Sequence, residues 1–432
     1  MITIPSRLCK KHNIKLKDVI FIKIRNYEFF GYVVGTNSSK RVTLPLKVLK
    51  KLPPKETEVK VTTLPKRKSH LKIVNNKIDL YYSLPDTCRH LNWPLAIVTK
   101  DKKILVWSPT AYKQVIPRYL KLDTNLFEVF GLYQGEGYKK TPISGTRLEF
   151  VNCDKDIINI ILKFFKKRFN IPIERWSVYI NYVYNKENLK SHNKLVLYWY
   201  NETKIPKSNF RKTQYLKGKC IKSASFGTLH ILIPSCVLGE ICLGILDHLE
   251  ILSTKNEKHA AAFLRGLMAA DGSAIEHQYK HNKTLRNVDL AIETQKEIML
   301  YKKILNKLNI EVKDYSAHSR KLSVCGWDNF YKLAKINIFE LHRKKVNSFK
   351  NGFSNHKYTL MIKKYLSPLL KEELSVKELA KKLKLSSKGS LLLTLKLQMN
   401  KGLIKRTKKQ KEDYRYFLTK KGYGILKFLE EF

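Results

Sequence analysis

The sequence predicts an α+β fold with a duplicated helix-strand-helix core, a small β-rich segment before it and a helix, helix, hairpin, helix module after it. Three observations predict this. Val129-Phe-Gly-Leu-Tyr-Gln-Gly-Glu-Gly137 and Leu264-Arg-Gly-Leu-Met-Ala-Ala-Asp-Gly272 share one grammar of apolar and small residues, a Gly-Leu step, then one carboxylate followed by glycine. Residues 3–21 and 43–61 align without a gap at an offset of 40. Residues 358–432 alternate capped helical stretches with a basic hairpin.

In the first pattern, apolar residues at helical spacing around small positions let two helices approach backbone to backbone. A carboxylate in the last turn, released by a glycine C-cap, would lie at the exposed end of each helix. Glu136 and Asp271 hold that place, 135 residues apart. A converging acid pair is what a divalent metal site for phosphodiester cleavage requires. Each motif is followed by a strand and a helix, Arg147–Val151 then Lys155–Phe169, and Val288–Ile292 then Lys296–Leu308. Lys155-Asp-Ile matches Lys296-Glu-Ile, so the duplication extends past the motif.

These motifs resemble the LAGLIDADG family of DNA endonucleases in its single-chain, two-motif form, over roughly residues 115–350. The approach Ile116–Asp123 is similar to the lead-in of archaeal members, and Glu in the first motif is a tolerated variant. The resemblance implies a tandem αββαββα core, 116–258 and 259–352, in a monomer with internal pseudo-twofold symmetry bound to double-stranded DNA. It implies that Glu136 and Asp271, with the carbonyls of Gly135 and Ala270, hold Mg²⁺ (or Mn²⁺), and that both strands are cut with a short 3′ overhang. Family members place a basic residue beside the scissile phosphate; the candidates are Lys345 or Lys344, with Lys255 or Lys258 at the matching place before the second motif. The family reads DNA with two antiparallel β-platforms. Tyr198, Trp199 and Tyr200 among cations, with Arg211, Lys212 and Lys219, suit the first platform. Arg320 and Lys321 suit the second.

Within residues 1–65, each copy of the offset-40 repeat reads as strand, helical turn begun at Pro, polar turn and alternating strand. One copy is too short to bury a core, so the two should interlock. The pattern resembles the AbrB-type swapped-hairpin DNA-binding domain with its dimer fused into one chain, which implies that Lys10, Lys11, Lys50 and Lys51 face phosphates. Residues 66–115 form a β-rich linker to which no function is assigned.

In 358–432, Ser375-Val-Lys-Glu378 is a capping box, and Ser386–Ser390 begins a second helix through Asn400. Ile404–Thr407 and Tyr414–Leu418 pair as a wing. The order resembles winged helix-turn-helix domains, whose second helix enters the major groove. Ser387, Lys388, Lys396, Lys408 and Arg415 are its DNA-binding candidates.

Composition fits a nucleic-acid partner: 84 Lys and Arg face 36 Asp and Glu, a formal charge of +48. At 43% hydrophobic the chain is not a basic tail. Seven cysteines, odd in number and without a Cys-x-x-Cys pair, argue against a disulfide framework and a zinc site. No run approaches the ~18 apolar residues of a membrane span, and no signal-peptide pattern opens the chain. A cytoplasmic, nucleoid-associated protein of a prokaryote, an archaeon, is expected. The alternative is a DNA-binding regulator on a catalytically retired core, similar to the bacterial WhiA-type factors; retained acids at both motif ends argue against retirement.

Overall fold

The computed structural model describes the chain apart from residues 1, 17, 25–26, 43–58, 64–68, 87–94, 101, 109–110, 139–146, 185–188, 219–223, 280–281, 313–319, 386–387 and 408–413. Lys50, Lys51, Lys219, Ser387 and Lys408 lie outside the described residues, as does the side chain of Lys388. The chain divides into two units, Met1–Ala270 and Asp271–Phe432.

The first unit begins with β1 (Ile2–Thr3), α1 (Ser6–Lys11), β2 (Val19–Ile24), β3 (Tyr27–Gly35), β4 (Lys40–Val42) and β5 (Val59–Thr63), in the sheet order β1-β4-β3-β2-β5. Ile2 pairs with Val42, and Ile22 with Val61, both antiparallel. Residues 43–58, most of the second copy of the repeat, lie outside the described residues. Ile4, Cys9, Ile14, Ile20, Ile22, Val33 and Val42 form its small core.

A linking layer comes next: β6 (Ile73–Val74), β7 (Lys77–Asp79), α2 (Leu80–Ser83), the meander β8 (Ala96–Lys100), β9 (Lys103–Ser108) and β10 (Ala111–Pro117), and β11 (Tyr119–Lys121), which pairs with β7. Its one buried acid, Asp79, accepts two hydrogen bonds from the Arg118 guanidinium at 3.0 and 2.9 Å and caps α2 through Tyr81 N–H. Both carboxylate oxygens are thereby satisfied, as burial at 1% exposure requires.

The rest of the unit is α3 (Thr124–Glu136), β12 (Leu148–Asn152), α4 (Lys155–Phe169), β13 (Ser177–Tyr184), α5 (His192–Thr203), β14 (Gln214–Lys217), β15 (Thr228–Ile233), α6 (Cys236–Ser253) and α7 (Glu257–Asp271, whose last residue opens the second unit). Sheet order is β12-β15-β13-β14. Leu148, Phe150, Ile180, Leu229 and Ile231, all fully buried, occupy the face covered by helices. Two sequence expectations change here. The β13–β14 pair is parallel, so the platform is not wholly antiparallel. Tyr198, Trp199 and Tyr200 lie on α5 and not on a strand; Trp199 is buried and donates to Phe226 O at 2.9 Å, and Tyr198 stacks on Phe226 at 3.8 Å. The aromatics are packing residues of the helix.

α3 and α7 run in the same direction. Phe127 stacks on His259 at 4.1 Å, Glu128 pairs with Arg265 at 2.7 Å, and Gly131 faces Gly266 and Leu267 further along both chains. A Cβ on Gly131 would sit 2.2 Å from Phe263 O, and one on Gly266 1.9 Å from Glu128 O. The contact is backbone on backbone, which only glycine permits.

The second unit carries β16 (Gly272–Tyr279), β17 (Asn282–Ala291), α8 (Gln295–Lys307), β18 (Lys321–Val324), α9 (Trp327–Lys335) and α10 (Arg343–Ser354), with sheet order β16-β17-β18. Then come α11 (Lys357–Leu366), β19 (Leu374–Ser375), α12 (Val376–Lys382), α13 (Lys388–Asn400), β20 (Ile404–Thr407), β21 (Arg415–Leu418) and α14 (Lys420–Glu431), with sheet order β19-β21-β20. Ser375 and Glu378 form a reciprocal capping box at the start of α12. The unit boundary falls inside the stretch 259–352 expected as one repeat, because α7 packs on α3.

Placing a methyl group at either contact glycine forces the helices apart. Gly266→Ala and Gly131→Ala should each destabilise the protein by at least about 2 kcal/mol, read as a lowered midpoint in urea unfolding. Unchanged midpoints in both would mean that the helix pair is not held by this contact.

Candidate functional site

α3 is started by Asp123, whose carboxylate accepts Leu126 N–H at 3.1 Å and also binds Arg168 of α4. It ends at Glu136. The expected left-handed glycine cap is absent: Gly137 has φ −78° and ψ 148°, extended geometry open to any residue. Glycine is needed there for space, since a Cβ would lie 2.3 Å from Tyr133 O. The chain runs straight from the helix onto the sheet edge, with Gly137 bridged to Phe150 and Tyr138 N–H donating to Glu149 O at 3.0 Å. α7 behaves alike: Asp271 is its last residue and Gly272 its successor in β16, opposite Leu290 of β17.

Glu136 is half-buried and accepts a hydrogen bond from Asn152 Nδ2 at 3.1 Å. Asn152 projects from the helix-covered face of β12, fixing one carboxylate oxygen without neutralising it. No motif pointed to Asn152, because nothing in the sequence shows that the end of β12 passes the end of α3.

Because α3 and α7 are parallel, Glu136 and Ala270 share one end of the pair. Lys255 and Lys258 belong to the other. They flank the start of α7, whose 15 residues span about 22 Å at helical rise. Lys255 and Lys258 thus stand away from Glu136 and Ala270, at the start of α7. Lys344 is exposed and Lys345 half-buried in the first turn of α10, beside Arg343 and with no acid in that turn. Three cations at a helix N-terminus oppose the macrodipole, so this turn concentrates positive potential.

The remaining basic candidates differ in freedom. Lys10 and Lys11 are exposed in the last turn of α1, where cations complement the dipole. Arg211 and Lys212 are exposed after Phe210, with Arg211 N–H donating to Val178 O at 2.7 Å. Arg320 is exposed; Lys321 binds buried Asp289 at 2.5 Å. Arg415 is committed within its own module, donating to Glu373 O at 3.0 Å and lying 3.5 Å from Glu378. The expectation that α13 reads bases meets a different surface. Around Lys396, its outward face carries Leu392, Leu393 and Leu397, at 46%, 72% and 43% exposure. Leucines offer no hydrogen bonds to base edges, so this face is not built for direct readout.

His259 sits under Phe127 with its Nδ1 buried and without a hydrogen-bond partner. Burial, then the nearby Lys258 charge, lowers its pKa.

No family model matches the sequence, and no curated protein matches it. Among solved structures, the I-DmoI complex with DNA and Ca is similar at 16% identity over 51% of this chain and 92% of that one, with TM-score 0.25. The N-terminal LAGLIDADG domain of DUF199/WhiA is similar at 13% identity over 51% and 84%, TM-score 0.28. Full-length DUF199/WhiA from Thermotoga maritima is similar at 14% identity over 64% and 90%, TM-score 0.31. At these TM-scores the likeness decides nothing about this chain.

Two outcomes are expected for the helix pair. A neutral His259 stabilises fully above its unfolded pKa of about 6.5, and the benefit is lost as pH falls toward its lowered folded value. Melting temperature should therefore drop between about pH 7 and pH 5, and His259→Phe, which keeps the stack, should flatten part of that drop; an identical profile would exclude His259 as the source. Lys255→Ala should leave any DNA cleavage rate within about twofold of the parent, and a hundredfold loss would contradict the helix geometry.

Proposed function

We propose that the chain is a site-specific, metal-dependent double-strand DNA endonuclease of LAGLIDADG type, with additional DNA-binding modules at residues 1–65 and 358–432. One observation carries this reading: two parallel helices in backbone contact through Gly131 and Gly266, each ending in a single carboxylate followed by glycine. The glycine contact brings the two helices to main-chain distance at Gly131 and Gly266. A purely structural pair has no use for an acid at each end in a chain of charge +48.

The donors suit Mg²⁺. Among the described residues no three His, Cys, Asp or Glu side chains gather, which disfavours a closed zinc-like cage. Mg²⁺ keeps several waters and takes one or two carboxylates, within reach of Glu136 with Gly135 O and of Asp271 with Ala270 O. Bound there, the ion would acidify a water for attack on a phosphodiester and steady the leaving 3′ oxygen. Asn152 orients Glu136 through one oxygen without cancelling its charge. The cations in the first turn of α10, Lys345 among them, would offset charge building on phosphate. Lys10, Lys11, Arg211, Lys212, Arg320 and Lys396 would add salt-sensitive phosphate contacts, and modules in one chain raise affinity by effective concentration.

One observation favours the second reading, a regulator on a retired core. The leucine face of α13 fits a protein partner better than a groove of bases.

Incubation of a randomised duplex library with Mg²⁺, and with Ca²⁺ as control, separates the two. The endonuclease gives ends with a uniform short 3′ overhang in Mg²⁺ alone, and Glu136→Gln or Asp271→Asn reduces cutting by at least about a hundredfold while leaving binding intact. Specific binding without cut ends in either metal establishes the regulator and makes both acids relics.

A further inference from the structure

Each sheet carries a second acid, on the face turned away from the helices. On β12 the side chains alternate, so Leu148 and Phe150 enter the core while Glu149 points to the opposite face with Val151. Glu149 is 2% exposed yet charged. Burial alone would raise its pKa, but hydrogen bonds from His230 and Tyr179 and the Arg147 guanidinium outweigh burial and lower it. Arg147 Nε donates to Oε2 at 2.5 Å; Tyr179 OH and His230 Nδ1 reach Oε1 at 2.9 and 3.1 Å.

The second unit repeats this on β17. Val288 and Leu290 enter the core, and Asp289, 4% exposed, points the other way. Burial again works against its ionisation, and Lys321, Ser323 and Asn287 win, so its pKa is lowered. Lys321 Nζ lies 2.5 Å from Oδ2, Ser323 Oγ 2.7 Å from Oδ1, and Asn287 Nδ2 also donates to Oδ1.

The two clusters match in register. Glu149 and Asp289 each stand five residues before the N-cap of the following helix, Asp154 or Thr294. Arg147 and Asn287 each stand two residues before their acid. In the neighbouring strand, His230 pairs with Val151 and Lys321 with Ala291, each two residues past the acid. His230 therefore occupies in the first sheet the place of Lys321 in the second. Both ring nitrogens of His230 have polar neighbours. It stacks on Tyr179 at 4.1 Å, binds Glu149 through Nδ1, and lies 2.9 Å from Asn181 Nδ2 through Nε2. Asn181 Oδ1 is buried without a hydrogen-bond partner; a half-turn of that amide presents this acceptor to an Nε2–H.

We propose that Glu149 and Asp289 are positioning residues, Glu149 holding His230 and Asp289 holding Lys321, each on its own sheet, in fixed directions for contact with the DNA backbone. This rests on the DNA-binding reading above. A buried carboxylate fixes its cation in one rotamer before DNA arrives, and the entropy of ordering is not then charged to binding. Tyr179 stays protonated and a donor to Glu149, its pKa pushed up to about 12 by burial and then by Glu149.

The test is fluorescence anisotropy of the full chain with a labelled duplex across a KCl series. Asp289→Asn should lower affinity about tenfold and cut the salt slope by about one. His230→Ala should lower affinity about tenfold at low salt. Where the carboxylate variant lowers the melting temperature, Lys321→Gln carries the same prediction, since a merely structural cluster would not move the salt slope. Affinity equal to the parent in His230→Ala, with slopes equal to the parent in the Asp289 or Lys321 variant, overturns this proposal alone. A parent chain that binds no duplex at low salt overturns it together with the endonuclease reading.

Discussion

The backbone contact between α3 and α7 is the constraint on which the rest of the core depends. A helix pair separated by ordinary side chains leaves its ends free to shift by the length of a rotamer. Here the carbonyl of Glu128 lies where a Cβ of residue 266 would be, and the carbonyl of Phe263 where one of residue 131 would be. The helices have almost no freedom to slide. The Glu128–Arg265 pair and the Phe127–His259 stack fix the rotation on either side of the contact. Gly137 and Gly272 each enter the edge of their own sheet in the same way, opposite Phe150 and Leu290.

Electrostatics is the second constraint, and scarcity of acids makes it legible. With 36 acids against 84 Lys and Arg, an acid in the core is there for a purpose. Asp79 locks Arg118, Asp123 caps α3 and binds Arg168, Glu128 ties α3 to α7, and Glu149 and Asp289 fix side chains on their sheets. Glu136 accepts a hydrogen bond from the neutral amide of Asn152, which fixes the direction of one of its oxygens.

The sequence made legible whatever depends on short-range pattern. The two motif helices and the capping box at Ser375 are local signals of sterics and backbone hydrogen bonding, and each has a counterpart in the structure. Register between the two sheets was less legible. Matching Lys155-Asp-Ile to Lys296-Glu-Ile implies an offset of 141. The caps Asp154 and Thr294 and the buried positions Ile158 and Ile298, Ile161 and Tyr301, Phe165 and Leu305 agree on 140. A lysine before an acid recurs by chance in so basic a chain, whereas burial repeats only when the fold does. The one-residue slip hid the correspondence of Glu149 with Asp289, since along a strand it exchanges the two faces.

Long-range packing escaped the sequence for a related reason. Tyr198, Trp199 and Tyr200 read as strand aromatics because their residue types favour strands, yet Ser191 caps them into a helix and Phe226, far along the chain, receives both Tyr198 and Trp199. The leucines of α13 mislead in the opposite sense. Leu391 and Leu395 are buried and Leu392, Leu393 and Leu397 are not, and composition alone cannot separate them. Only the packing of α12 and the β20–β21 hairpin decides which leucines face inward. That separation bears on function, because a basic helix with an apolar outer face keeps long-range attraction to phosphate while lacking the groups that distinguish one base pair from another.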